Sequence, residues 1–442
     1  MQRIRAYVAR FTGFERDARV FLIAALVAGA AISLYWIDFN LYLASLGIEP
    51  PVIGLIATGN AVAAALVSFP ASALSDRIGR RLVLAGGLAV MLLSIVGFLL
   101  ASGALALGLL AAAYGAGQQV FFVVQNPFLA ERSRAEHRSE LFALVFAIEN
   151  MTNIVAAILG GAIAAAVAVA VGFDPQGPQA YRVLLVLMGG LMAVAVAAIF
   201  LVGDDRPRRR PVPASPRAAG EPAAFPVEPY RPRRQRPFGL RIGDRRTFAR
   251  LLIPGFLISL GAGQVIPFLN LFIQRRFGLE LAALNAVFAV TALGTVVAIL
   301  LQPGLARRLG KIVSVVLVQA ASIPFLVVLG FSPVFWTVIA AMAVRNSLMN
   351  AGNPIFNAFA MERVRPGERA TLSAAMSLTW SLGWVIAGPW YSLLQATLGF
   401  DLGYSVNFVT IIALYSVATF LYWLWFGRAE REERSAQAGA TG

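Results

Sequence analysis

Long apolar runs recur along this chain, at about residues 19–46, 52–74, 82–101, 103–129, 139–171 and 181–202, then at 247–274, 281–303, 312–331, 334–360, 369–397 and 402–427. Each approaches or exceeds the roughly 20 residues that carry a helix, at about 1.5 Å per residue, across the hydrocarbon of a bilayer. The runs are continuous and rich in Ala, Leu and Gly, without the alternation that a barrel wall requires, so they are expected to be helices. Charged residues make up 13% of the 442 positions and hydrophobic ones 59%, against about 25% charged in an average soluble chain. The expected fold class is an all-α membrane protein with twelve transmembrane helices.

A net charge of +15 would suit a nucleic-acid binder, but the placement of the basic residues argues against one. With both termini cytoplasmic, all but Arg182, Arg275, Arg276 and Arg345 of the 37 Lys and Arg fall on one side, the asymmetry expected of an inner-membrane protein. No nucleic-acid partner is expected. The basic start, with Arg3, Arg5, Arg10, Arg16 and Arg19, leads into an apolar segment too long for a cleavable signal and is taken as the first span. The chain has no cysteine, which excludes disulfides and thiolate ligands, and its one histidine, His137, falls in a polar loop.

Between Asp204 and Arg246 the composition turns to Arg, Pro and Ala, with Arg208-Arg209-Arg210 and Arg233-Arg234 among prolines. Such a stretch cannot build a core and is expected to be a cytoplasmic linker whose arginines meet anionic lipid headgroups. It divides the chain into a six-helix unit at 1–203, a linker at 204–246, a second six-helix unit at 247–427 and a tail at 428–442. The units share a register. Gly79 and Gly310 stand 231 positions apart, and the same offset joins Arg77 to Arg308, Asn126 to Asn357, Glu131 to Glu362, Arg132 to Arg363 and Arg138 to Arg369. A single offset across separate loops and a helix points to duplication, giving two pseudo-symmetric units that enter the membrane in the same direction.

Between the second and third runs the chain reads Ser72-Ala73-Leu74-Ser75-Asp76-Arg77-Ile78-Gly79-Arg80-Arg81. With twelve spans and a central linker, it resembles the loop signature of the major facilitator superfamily, Gly-x-x-x-Asp-Arg-x-Gly-Arg-Arg, with Ser72 in place of the first Gly. The resemblance covers essentially the whole chain and says almost nothing about cargo. It implies a cytoplasmic gate loop, Asp76, Arg77, Gly79, Arg80 and Arg81, in which the acid latches onto the start of span 11, near Thr371. Independently, a carboxylate at a helix C-terminus is disfavoured by the helix dipole and needs a partner elsewhere. The equivalent position of the second unit is Arg307, which suits its own helix end, so the latch is expected in one unit only.

Ionisable residues deep in a span are costly and, in a transporter, face a central cavity. Glu149 and Arg345 fall near mid-membrane, and Asp38 in the outer part of span 1. On span 5, Glu149, Asn150 and Asn153 share a face, and on span 10 Asn346, Asn350, Asn353 and Asn357 form a stripe. Shifted back by 231, that stripe lands on Gly115, Gln119, Phe122 and Asn126 of span 4, so a symmetric lining is expected. Gln264 and Asn270 of span 7, and Trp380 and Trp384 one turn apart on span 11, complete the candidate solute or proton pathway. Isolated amides serve equally as interhelical hydrogen-bonding groups. Pro127, Pro267, Pro354 and the Gly388-Pro389 pair are candidate hinges.

The expected function is secondary transport of a small solute by alternating access, with protons as the coupled ion through Asp38 or Glu149, as a monomer and with no cofactor or metal. No phosphate-binding Gly-Lys loop is present. Export of amphipathic compounds is slightly favoured, with uptake of a small organic metabolite as the alternative. Drug exporters of the resembled family often carry Gly-Pro-x-x-Gly-Gly on span 5, where this chain has Ala156-Ala157-Ile158-Leu159-Gly160-Gly161. A non-transporting sensor or partner subunit is the alternative of another class. An enzyme is not expected, because no acid, base and nucleophile cluster is visible.

Overall fold

The computed structural model describes residues 16–131, 138–174, 177–203, 243–365 and 368–427. Residues 204–242 of the linker, His137, Arg132 and the tail lie outside them. Helices follow one another in the order α1 (Arg16–Ser45), α2 (Pro50–Ile78), α3 (Arg80–Leu100), α4 (Ala104–Glu131), α5 (Arg138–Val171), α6 (Pro178–Phe200), α7 (Arg245–Val265), α8 (Leu269–Phe277), α9 (Leu281–Leu309), α10 (Lys311–Phe331), α11 (Phe335–Glu362) and α12 (Arg369–Tyr422). Asp244 caps α7, accepting from the Arg246 amide at 2.9 Å and from the Thr247 hydroxyl at 2.5 Å. These bonds, the Thr247 one first, hold its carboxyl below the usual carboxylate range.

One expected span is broken within its length, and two others are joined through a glycine reversal in the gap between them. Pro267 has no N–H to donate, and the helix breaks there into a 3-10 turn, Ile266–Phe268, before resuming as α8. Pro127, Pro354 and Pro389 lie within continuous helices, so of the four expected hinges only Pro267 interrupts its helix. At the other end, α12 holds Gly399 at φ 72°, ψ −171°, a conformation essentially restricted to glycine. Tyr391 and Tyr404 would lie about 20 Å apart along a straight helix, yet their hydroxyls are 3.0 Å apart. The chain therefore doubles back at Gly399.

Nine helical stretches among the described residues are long and apolar enough to cross a membrane. One of them, Thr371–Gly427, contains the Gly399 reversal, and the Leu281–Thr295 part of α9 is apolar as well. The α11 segment, where Arg345 and four asparagines dilute the apolar residues, is not among the nine. Large apolar side chains such as Leu66, Leu105, Val169 and Trp336 stand exposed, a surface suited to lipid rather than water.

The offset of 231 seen in the sequence reappears in the helix ends. Pro50, Ile78, Arg80, Leu100, Ala104 and Glu131 bound α2, α3 and α4, and Leu281, Leu309, Lys311, Phe331, Phe335 and Glu362, each 231 positions later, bound α9, α10 and α11. Gly79 and Gly310 make the matching turns with φ of 98° and 99°.

Helices pack chiefly within two groups, residues 16–203 and 243–427. In the first, α2 and α3 lie against α4, and α1 against α5 and α6; in the second, α7 lies against α12, and α11 against α9 and α10. The groups meet where α2 crosses α12, α5 crosses α9 and α1 touches α8. Glycines allow two of these approaches. A Cβ on Gly54 would come within 3.2 Å of the Gly388 carbonyl oxygen, and one on Gly161 within 3.3 Å of the Ala282 backbone. Small residues at crossings are the usual device of close packing in lipid, where dispersion replaces the hydrophobic drive.

Candidate functional site

Polar contacts between the two groups gather at the end of the bundle that carries the α1–α2 turn and Gly399. Asn40 Nδ2 donates to the Pro267 carbonyl and Asn270 Nδ2 to the Ile37 carbonyl, both at 2.5 Å. Gln274 Nε2 donates to the Tyr181 hydroxyl at 2.9 Å. The carbonyl of Pro267 is one that the helix break leaves free. The same proline thus interrupts span 7 and supplies the acceptor that ties it to α1.

Asp38 belongs to this sealed end. It is buried beside a small apolar cluster of Ile37, Ala157 and Ala289, and its Oδ1 accepts from Asn285 Nδ2 at 2.9 Å across the seam. The same amide also donates to the Leu281 carbonyl at 3.1 Å, which orients it. Asp38 Oδ2 and Asn285 Oδ1 are buried without a donor. A proton on Asp38 would turn one of these two acceptors into a donor.

Beneath the sealed end, a cavity of about 260 Å³ opens between α1, α2 and α4 on one side and α7, the 3-10 turn and α12 on the other. Of the residues expected from sequence to form the pathway, Gln119, Trp380 and Trp384 line it. Trp36 and Trp384, from opposite groups, meet edge to face with ring centres 5.8 Å apart. Tyr35, on the first group's side of the wall, is backed by Tyr114, stacked on it at 3.8 Å. Asn60 Nδ2 donates to the Ala111 carbonyl at 2.8 Å and to the Tyr35 hydroxyl at 3.2 Å, fixing α2 against α4 at this level.

The other expected residues are placed elsewhere. Gln264 and Asn270 are buried outside the cavity, Gln264 with its Oε1 unpaired and Asn270 spent on the seam. Arg345 is buried at 3% exposure between α11 and the second part of α12. It donates to Asn346 Oδ1 and the Tyr415 hydroxyl at 2.9 Å each, with its guanidinium 5.5 Å from the Tyr415 ring centre. Asn350, Asn353 and Asn357 lie on α11, all three exposed, Asn350 Nδ2 donating to its own helix at the Asn346 carbonyl. Asn153 is exposed on α5. The span 10 stripe and its span 4 counterpart therefore do not meet as symmetric walls of this cavity. The side chains of Asn126, Glu149, Asn150, Asp76 and Arg307 lie outside what is described, and with them the expected latch. In the same loop, Gly79 turns between α2 and α3, Arg77 is exposed, and Arg81 donates to the Phe200 carbonyl at 2.8 Å. Arg80 starts α3.

Residues not singled out from the sequence complete the wall, Tyr35, Trp36, Asn40, Asn60, Gln118 and Ser381 among them. Gln118 is 5% exposed and its Nε2 has no partner, and Trp384 Nε1 is likewise buried and unpaired. The signal for Asn60 was a lone amide inside an apolar run. Gln118 is displaced from the face that the repeat offset marks, since 231 positions on lies Met349.

A bundle of apolar helices in two packed groups, sealed at one end over a cavity between them, is the architecture of a membrane transporter. The sequence profile described as Major Facilitator Superfamily matches residues 21–388, and the chain belongs to that family. It is an integral membrane protein and a secondary transporter, not an enzyme. Among solved structures, it is similar to the nucleoside transporter NupG, at 12% identity and a TM-score of 0.71 over 93% of this chain and 99% of that one. It is also similar to a bacterial homologue of the iron transporter ferroportin in its inward-facing state, at 15% identity and a TM-score of 0.67 over 93% of this chain and 98% of that one. Against such a homologue in the outward-facing state with soaked iron, at 14% identity over 93% and 99% of the two chains, the TM-score is 0.57. No curated protein sequence matches the chain.

Proposed function

We propose that the chain carries a small organic solute across the cytoplasmic membrane by alternating access, coupled to protons through Asp38. The Gly79 and Gly310 turns are assigned to the cytoplasm, in keeping with the basic residues around them. The sealed end then faces outward and the cavity communicates with the cytoplasm. The better agreement with the inward-facing than with the outward-facing ferroportin homologue supports that assignment.

The observation that carries the coupling is Asp38 at the seam. It contacts the opposite group through Asn285 while its second oxygen is buried without a donor. A protonated Asp38 suits the sealed seam, and an ionised one would be stranded there. Opening the seam gives the carboxyl water and lets the proton leave, so the acid ties proton movement to the rocking of the groups. Of the two cargoes open from the sequence, uptake of a small organic metabolite has the support of the cavity's size and of its uncharged wall among the described residues.

The test uses the purified chain in proteoliposomes with a panel of labelled small organic solutes and an imposed proton gradient. Asp38→Asn should abolish uphill accumulation and leave solute exchange at zero gradient intact. Uphill accumulation by the variant at the unaltered rate would sink the coupling, and no flux of any solute by the native chain would favour a sensor or partner subunit.

A further inference from the structure

No Asp, Glu, Lys, Arg or His is found among the described residues that line the cavity. The buried charges nearest in the fold are committed elsewhere, Asp38 to Asn285 and Arg345 to Asn346 and Tyr415. An ion entering the cavity would lose its hydration with no opposite charge to replace it. The wall suits a solute without formal charge.

Its aromatic rings divide into those already stacked and those with a face to offer. Tyr35 is covered by Tyr114 and by Phe39, whose ring centre lies 4.6 Å away. Phe268 is covered by Tyr391 at 3.7 Å with the rings nearly parallel. Trp36, Phe122 and Trp380 instead stand 45%, 41% and 46% exposed while lining the cavity. Large exposed rings on a cavity wall are stacking platforms for another flat ring.

The polar groups are equally selective. Gln118 Nε2 and Trp384 Nε1 are buried donors with no protein acceptor, and buried donors are normally paired. Asn60 has spent its Nδ2 on Ala111 and Tyr35, so its carbonyl oxygen is the group it has left to offer. The two donors and the acceptor of these three side chains are complemented by two acceptors and a donor on the solute, and Gln119 and Ser381 on the same wall can donate or accept beside them. The volume of about 260 Å³ lies just below the usual span of drug-sized pockets, about 300–1,000 Å³, and limits the solute to one or two rings.

We infer that the cavity binds an uncharged, flat heterocycle whose edge presents ring carbonyls beside an N–H, the pattern of a cyclic ureide or imide. This deepens the transport reading and rests on it for taking the cavity as the solute site. Gln118 and Trp384 donate to the ring carbonyls, Asn60 accepts from the ring N–H, and Trp36, Phe122 and Trp380 cover the faces.

The probes are uracil, 1,3-dimethyluracil, benzoate and tetraphenylphosphonium, titrated into the purified full-length chain and read by quenching of tryptophan fluorescence and by calorimetry. Uracil should bind. 1,3-Dimethyluracil, which keeps both carbonyls and loses the N–H groups, should bind about tenfold more weakly, a step of about 1.4 kcal/mol. Benzoate and tetraphenylphosphonium should not bind measurably. Gln118→Leu and Trp384→Phe, the second keeping an aromatic ring and removing the indole N–H group, should each weaken uracil about tenfold. Should a variant fail to fold, the comparison of uracil with its dimethyl form decides on the native chain alone. Either charged probe binding as tightly as uracil, no binding of uracil, or uracil and 1,3-dimethyluracil binding alike would overturn the inference. Gradient-driven flux of a charged solute would overturn it and leave the transport reading standing, whereas selective uracil binding without flux would support it and count against transport.

Discussion

Gly54 of α2 and Gly388 of α12 meet so closely that a Cβ on Gly54 would lie 3.2 Å from the Gly388 carbonyl oxygen, and one on Gly388 would lie 3.1 Å from that of Gly54. The contact joins the two helix groups near the sealed end, and it leaves no room for a methyl group without parting the helices. Gly54→Ala should therefore bias the protein toward the state in which the seal is open. Because the chain has no cysteine, a single Ala289→Cys placed in the seam reports this cleanly. Its labelling by a membrane-impermeant maleimide should rise about tenfold in the Gly54→Ala background, for a shift of about 1.4 kcal/mol in the equilibrium. Unchanged labelling would mean that the glycine contact does not hold the seal.

Gly79 and Gly310 adopt φ of 98° and 99°, with ψ of 146° and 162°, a region that side chains avoid. Alanine at either position should cost about 1–3 kcal/mol. Because the two turns are conformational copies, the two variants should lower the thermal midpoint in detergent by similar amounts. A neutral Gly310→Ala beside a damaging Gly79→Ala would show that the repeated turn is not equally strained.

Arg345 is buried with no carboxylate among its described partners and relies on Asn346 and Tyr415. Tyr415→Phe removes one charge-assisted hydrogen bond and keeps the ring under the guanidinium. It should cost about 1.5–3 kcal/mol of stability, read as a lower midpoint in a denaturant or thermal series. Tyr415→Leu, which also removes the ring, should cost more. Equal stability of the native chain and Tyr415→Phe would show that Arg345 has found another acceptor.

The bundle was legible in the sequence to a degree that the site was not. Apolar length alone locates the helices, and the pairing of Gly79 with Gly310 locates the turns between them, because both follow from local constraints: hydrocarbon thickness and a backbone angle that only glycine accepts. The Gly399 reversal falls in the gap between the spans expected at 369–397 and 402–427. The cavity depends on how one group sits against the other, which no run of residues encodes by itself. The asparagines of α11 have the spacing of a helical face, and spacing defines a face without naming its neighbour. Asn350 and Asn353 accordingly stand outside the cavity that Gln118 and Asn60 line. A buried amide reads the same whether it serves packing, as Asn270 does at the seam, or waits for a solute, as Gln118 does.

Trp36 and Trp384 reach the cavity from opposite sides of the seam and touch edge to face. A molecule that rests against both has one foot on each rocker, so its grip changes whenever the rockers move. A molecule that rests on Tyr35 and Gln118 alone rides with a single rocker and holds equally well in every posture. Only the first kind can tilt the balance between postures, since a ligand shifts an equilibrium by no more than its differential affinity for the two states. Occupancy and passage are thus separate privileges here. A compound that satisfies one wall and ignores the other would be a guest that blocks the doorway without ever being carried through it.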